Sequence, residues 1–267
     1  MSRREAPSGE VLAAFSLTGV PVPVRGGQGT AWRVGSVILK PATDPEFQRW
    51  LAVLSTVDQR GFRLAEVIAA RDGRWVVDGW GAHVVLPGSA PVGPDAPWDE
   101  AVAAARSFHR AVASRPRPAF LDTRTDAWAV ADRAAWGELD LQASPEAHDL
   151  VRRLARVPRP TGPAQLVHGD LAGNVLLGGA GAAGVIDVSP YWRPVTYAEG
   201  ILMADALAWH DVSPRLLEDL GVPLEGVAVG LLFRVLTASL LSSPGRGQFA
   251  MSEEVGRYSG VADALGL

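Results

Sequence analysis

Apolar and polar positions change rhythm twice along this chain. In VPVRGGQGTAWRVGSVILKP, short β-forming runs alternate with glycine, and Val34, Val37, Ile38 and Leu39 predict strand, glycine turn, strand and further strand. Asp44 and Pro45 then suit the N-cap and first turn of a helix, with Phe47, Trp50, Leu51 and Leu54 at helical spacing. RLAEVIAA and RWVVDGWGAHVVL predict two more strands around an RDGR turn. LPGSAPVGPDAPW (86–98) interrupts all periodicity and predicts a boundary between two lobes, 1–88 and 89–267.

Beyond it the rhythm is helical. Trp98, Ala101, Ala105, Phe108 and Val112 share one face of a helix over 98–114. Ser144-Pro145 opens another that stops before Pro158, and further helices fit 197–211 and 227–241. One β-island interrupts them: NVLL and AGVIDVS form two short strands joined by GGAGAAG, with LVHGDL leading in.

Composition narrows the classes. The 267 residues are 48% hydrophobic, enough for a sizeable core, and the formal net charge is −4 with no basic cluster, which argues against nucleic acid. There are no cysteines, so neither disulfides nor thiolate metal sites are open to it. The start lacks the apolar core of a signal peptide. The run at 227–241 is short for a membrane span and carries Arg234. The expectation is a soluble cytoplasmic protein away from membranes. The 25 basic residues include a single lysine, Lys40, which invites a role for a compact ammonium where a planar guanidinium would not serve.

LVHGDLAGNVLL places His168, Asp170 and Asn174 between two apolar runs. The predicted hairpin sets Asn174 just before one strand and Asp187 at the end of the other, with Asp170 on the loop leading in. Two carboxylates and an amide oxygen can then converge. These are hard oxygen donors suited to Mg²⁺, an ion that keeps waters and shares itself with phosphates. Carboxylates gathered without a cation would raise one another's pKa values, so the cluster implies a bound cation or a proton to move.

HGDLAGN followed by VIDVS resembles the catalytic loop and metal-binding strand of the aminoglycoside-phosphotransferase-like kinases, small-molecule relatives of the protein kinases. The resemblance extends to GGQGTAWRVGSVILK, to LPG at 86–88 and to ARSFHRAV, covering about residues 20 to 210, and more narrowly the chain looks like uncharacterised actinobacterial members of that family. It implies an α+β, two-lobed protein-kinase-like fold: a β-rich N-terminal nucleotide-binding lobe and a mainly helical catalytic lobe with a small β-hairpin. It implies an ATP-dependent phosphotransferase acting on a hydroxyl or amine of a small molecule, with GTP as the other possible donor. Asp170 would be the base, Asn174 and Asp187 would hold magnesium, and Lys40 would contact the α- and β-phosphates. Glu46 would pair with Lys40, with Glu66 the other candidate; Gly26, Gly27 and Gly29 would cover the phosphates. Adenine would lie near Val84 to Leu86. Asp187 is followed by Val-Ser, which argues against a movable activation segment; Ala172 and Thr30 depart from the family's usual residues.

The remaining motifs read more plainly. His168 reads as a structural group, GGAGAAG as a slack turn, and Tyr191, Trp192 and Trp209 as packing in preference to an aromatic cage. Asp205 is open between a substrate-facing and a solvent-facing place. Two rivals stand beside the kinase reading: a silent nucleotide-binding pseudokinase or scaffold and, ranked last for want of histidines, a metal-dependent phosphoesterase. Substrate identity and oligomeric state are not legible.

Overall fold

The computed structural model describes residues 5–24, 29–242 and 251–267. A short helix, α1 (Gly9–Ala14), precedes three strands, β1 (Val22–Pro23), β2 (Trp32–Val34) and β3 (Val37–Pro41), and α2 (Pro45–Leu54) follows them. Asp44 caps α2 as its residue type predicts, its Oδ1 accepting from the backbone N–H groups of Glu46 and Phe47 at 2.9 and 3.1 Å. Next come β4 (Arg63–Leu64), β5 (Val67–Ile68) and β6 (Trp80–Val84). Five of these strands form one antiparallel sheet in the order β1-β2-β3-β6-β5. Strand alternation gives it two faces. Val37, Leu39 and Ala82 pack outward against Val11 and Phe15, while Ile38, Lys40, Gly81 and His83 share the face turned to the rest of the molecule.

The second half contains α3 (Trp98–Val112), α4 (Ala127–Ala135), α5 (His148–Leu154), β7 (Gln165–His168), β8 (Val175–Leu176), β9 (Gly184–Val185), β10 (Pro190–Arg193), α6 (Val195–His210), α7 (Arg215–Leu220), α8 (Leu224–Leu241) and α9 (Met251–Ala264). The architecture is a sheet-rich N-terminal part followed by a helical C-terminal part, the arrangement expected of the two lobes. Helices α6 and α8 are buried on nearly every face, as befits core helices. By length and composition α8 could cross a membrane, yet 72% of it is buried inside this fold. The two helices touch where glycines remove the side chains: a Cβ on Gly200 would lie 2.0 Å from the carbonyl oxygen of Gly226.

Several local expectations are corrected. The helix expected over 144–157 is a 3₁₀ turn at Pro145–Ala147 leading into α5. Helices α1, α4, α7 and α9 lie outside those the periodicity predicts, and β7 pairs with β10 in a two-stranded sheet of its own. The turn joining β8 to β9 is docked against the chain after β6: a Cβ on Gly179 would lie 2.3 Å from the carbonyl oxygen of Pro87. Strand β4 crosses the expected 88/89 boundary to pair in parallel with β9, giving a three-stranded sheet β4-β9-β8. Leu54, Phe62, Leu64, Phe108, Leu166 and Val185 form one buried cluster, which ties the α2–β4 region to α3 and the hairpin.

Candidate active site

The hairpin β8–β9 does what its sequence predicts. Asn174 immediately precedes β8, and its backbone oxygen accepts from the N–H of Ile186 at 3.0 Å. That bond holds Asn174 beside the end of β9, where Asp187 follows. Asp187 adopts a left-handed backbone conformation (φ 51°), which Asp tolerates better than most residues, and this turns its exposed carboxylate into the cleft.

Asp170 sits at the same mouth, with its side chain 45% exposed. Its loop is built on His168, which is completely buried. His168 Nε2 donates to the carbonyl of Ile186 at 3.0 Å, and Nδ1 accepts the backbone N–H of Asp170 at 3.1 Å. The structural reading of His168 therefore accounts for both ring nitrogens, and burial keeps its pKa below the usual value for a histidine. Gly169 is required by packing, since a Cβ there would lie 2.5 Å from the Tyr191 ring.

Each oxygen of Asp170 has one protein donor. Arg234 Nη2 reaches Oδ1 at 2.7 Å, and Asn174 Nδ2 reaches Oδ2 at 3.1 Å. Asn174 Nδ2 also donates to the backbone oxygen of Asp170 at 2.7 Å. Arg234 lies midway along α8 and binds Asp205 of α6 as well, Nε to Oδ1 at 2.9 Å. Asp205 is thus buried against Arg234, at the wall of a second cavity of about 330 Å³ that Trp209 also lines. Desolvation raises its pKa, while Arg234 opposes that shift. The signal that could have found Arg234 was in the chain: a charge inside an 18-residue apolar helix must meet a buried counter-charge.

Lys40 reaches across from β3 and its Nζ pairs with Asp187. In this structure the partner of Lys40 is Asp187 and neither Glu46 nor Glu66, the two that the resemblance implies. Glu46 lies in the exposed first turn of α2 and makes no ion pair with Lys40; Glu66 is exposed on its side of the sheet edge. The face of α2 that meets the cleft carries Phe47, Gln48, Leu51 and Leu54 instead. They enclose, with Lys40, Val67, His83 and Asp187, a cavity of about 220 Å³. His83 is buried there, and desolvation, followed by the charge of Lys40, lowers its pKa to about 4. Val84 and Leu86 lie just beyond. The N–H of Val84 bonds to the carbonyl of Glu66, and Leu86 packs on Gly184. Gly29 has a φ of 67°, a conformation that favours glycine; Gly26 and Gly27 lie outside the described residues.

On the other side of Asp170 and Asp187 lies a cavity of about 570 Å³, walled by Phe47, Phe120, Trp128 and Tyr191. Phe120 meets Phe47 and Trp50 edge-on, at centroid distances of 5.6 and 5.2 Å. Tyr191 is buried, and desolvation pushes its hydroxyl up to about 12. Trp209 stands at a neighbouring cavity with the Arg257 guanidinium 4.1 Å over its ring, so that ring face is occupied.

Could the residues present hold Mg²⁺? Among the described residues no three His, Asp or Glu side chains form a metal cluster. Asn174 uses its amide nitrogen on Asp170, which leaves its Oδ1 without a protein donor among the described residues, and the backbone bond from Ile186 to Asn174 brings the chain at Asp187 near it on the hairpin. Two hard oxygens at an open mouth fit a cation that takes its other ligands from phosphate and water.

A family model described as "Phosphotransferase enzyme family" matches residues 11–188. Among curated protein sequences none is significantly similar. A choline/ethanolamine kinase family protein from Mesorhizobium loti is 17% identical, with a TM-score of 0.60 over 96% of this chain and 90% of that one. An aminoglycoside phosphotransferase from Alicyclobacillus acidocaldarius is 13% identical, with a TM-score of 0.58 over 98% and 95%. A spectinomycin phosphotransferase, solved with ADP and spectinomycin, is 16% identical, with a TM-score of 0.54 over 94% and 92%. At these identities the likeness is one of fold.

Proposed function

The chain belongs to the phosphotransferase enzyme family, and from that premise we propose that it transfers the γ-phosphoryl group of Mg·ATP to a hydroxyl or amine of a small molecule. GTP is the alternative donor on the same residues. The observation that carries this reading is the convergence of Lys40, Asp170, Asn174 and Asp187 on one cleft from three separate stretches of chain. The relatives solved with ADP or with an antibiotic acceptor support it by analogy of fold.

In this reading Lys40 leaves Asp187 for the phosphates, and Asn174 Oδ1 and Asp187 would hold the cation. Bound magnesium would neutralise phosphate charge as the leaving oxygen develops. Asp170 orients the acceptor in the 570 Å³ cavity. Its Oδ2, which among the described residues is bonded by the Asn174 amide alone, takes the acceptor proton, while Arg234 fixes Oδ1. The aromatic walls bind the body of the acceptor and keep water away from the phosphoryl group. The two lobes divide the work, 1–88 for nucleotide and 89–267 for catalysis and acceptor. The enzyme works in the cytoplasm.

The test is ³¹P NMR of Mg·ATP with the protein and a pooled panel of sugars, aminoglycosides, nucleosides and amino alcohols. A new phosphate-ester or phosphoramidate resonance, lost in Asp170→Ala, is the expected result. Nucleotide line-broadening with no product from any acceptor class would instead describe a silent nucleotide-binding protein.

A further inference from the structure

One polar side chain facing the nucleotide cavity has no part in that scheme. Gln48 on α2 is 7% exposed, and its Oε1 is buried with no hydrogen-bond partner among the described residues. An amide oxygen in that condition bears its full desolvation cost and awaits a donor.

The sheet opposite shows where that oxygen lies. A Cβ on Gly81 would be 2.9 Å from Gln48 Oε1, so the amide occupies the space left by the missing side chain. Gly81 is the register partner of Lys40 in the β3–β6 ladder. Directly paired residues share a face, with Cβ positions about 4.5–5.5 Å apart. Gln48 Oε1 is therefore placed beside the stem of Lys40, on the same face and in the same cavity.

Lysine has three N–H donors. Asp187 takes one here, and in the nucleotide reading, on which this inference rests, Asp187 turns to the cation. Glu46, the carboxylate expected to hold Lys40, is exposed. We propose that Gln48 is the positioning residue for Lys40: its Oε1 accepts from Nζ when phosphate draws the ammonium away from Asp187. A neutral acceptor suits the place. A carboxylate there would add a second buried negative charge beside Asp187 in the empty cleft, whereas an amide leaves the charge balance untouched.

Calorimetric titration of the full chain with Mg·ATP and, separately, with adenosine tests this. Gln48→Leu is expected to weaken Mg·ATP binding about tenfold, the size of one charge-assisted hydrogen bond, and to leave adenosine binding unchanged. Gln48→Glu, which keeps an acceptor but adds a buried charge, should recover Mg·ATP binding only in part relative to Gln48→Leu, and Glu46→Ala should match wild type. In a Lys40→Met background, Gln48→Leu should cause no further loss. Gly81→Ala, which pushes Oε1 aside without altering residue 48, should weaken Mg·ATP in the same way, and it serves should Gln48→Leu not fold. Equal Mg·ATP affinity in wild type, Gln48→Leu and Gly81→Ala would overturn the proposal. So would a loss that extends to adenosine or persists without Lys40. Failure of the wild type to bind Mg·ATP at all would instead remove the nucleotide reading, and this inference with it.

Discussion

Arg234 donates through Nη2 to Oδ1 of Asp170 at 2.7 Å while the same guanidinium grips Asp205, so one side chain of α8 joins the HGD loop to α6. Burial opposes its charge, yet the two carboxylates hold its pKa well above the ordinary arginine value. Arg234→Met would strand Asp205 in a low-dielectric interior, and we expect a loss of about 3–5 kcal/mol in urea unfolding. The double change Arg234→Met/Asp205→Leu should recover most of that stability, because an apolar pair replaces an ion pair at little net cost. Recovery of stability without recovery of turnover would separate the structural part of Arg234 from its hold on Asp170.

Lys40 and Asp187 neutralise each other across the cleft. In the proposed reaction a magnesium nucleotide parts them, which makes the metal dependence of binding a readout of Asp187. ATP titrated with and without Mg²⁺ should bind at least about tenfold tighter with the ion in wild type, and equally in both conditions in Asp187→Ala. An undiminished magnesium effect in the variant would remove Asp187 from the ligand set.

The crossing of α6 and α8 admits no side chain at its centre. A Cβ on Gly200 would lie 2.0 Å from Gly226 O, and one on Gly226 would lie 2.4 Å from Thr196 O. Both obstacles are backbone, so relief requires the helices to separate. Gly200→Ala should therefore cost at least the roughly 1–3 kcal/mol of ordinary overpacking. Gly256→Ala, on α9 with nothing within 4 Å, is the matched control and should be neutral or slightly stabilising in thermal unfolding.

Burial of neutral histidines predicts acid lability. Desolvation lowers His83 to about 4 and His109 to about 3, from 6.5, and lowers His168 as well. Between pH 6.5 and 4 the unfolded chain binds protons that the folded chain refuses, so stability is full above 6.5 and falls as the pH drops through that window. Each such group contributes a slope of up to about 1.4 kcal/mol per pH unit. Denaturant midpoints measured from pH 7 to 4.5 should show this fall, and His83→Leu should reduce its slope. An unchanged slope would mean that His83 is not kept neutral.

Much of the site was legible in one dimension. The hairpin, the Asp44 cap on α2 and the places of Asn174 and Asp187 at the strand ends follow from local rules, because turn chemistry and alternation act over a few residues. The expected partner of Lys40 was not legible. Glu46 has the right charge and is near in sequence, but helical phase turns it to solvent and brings Gln48 to the cleft. Arg234 was visible as an anomaly in an apolar run, and Gln48 only as a polar residue on a helix of mixed character.

By itself the sequence determined a strand-rich first part and a helical second part, the HGD loop and its hairpin, and the oddity of a single lysine. These are written in spacing, and spacing governs backbone conformation locally. Only the tertiary structure decided which charges meet: Lys40 with Asp187 across 147 residues, Arg234 with Asp170 across 64. It also decided that β4 joins β9 and that α6 and α8 touch at glycine. A linear pattern specifies that a buried charge requires a partner, but the identity of that partner follows from distance in space, and packing of the whole chain sets that distance.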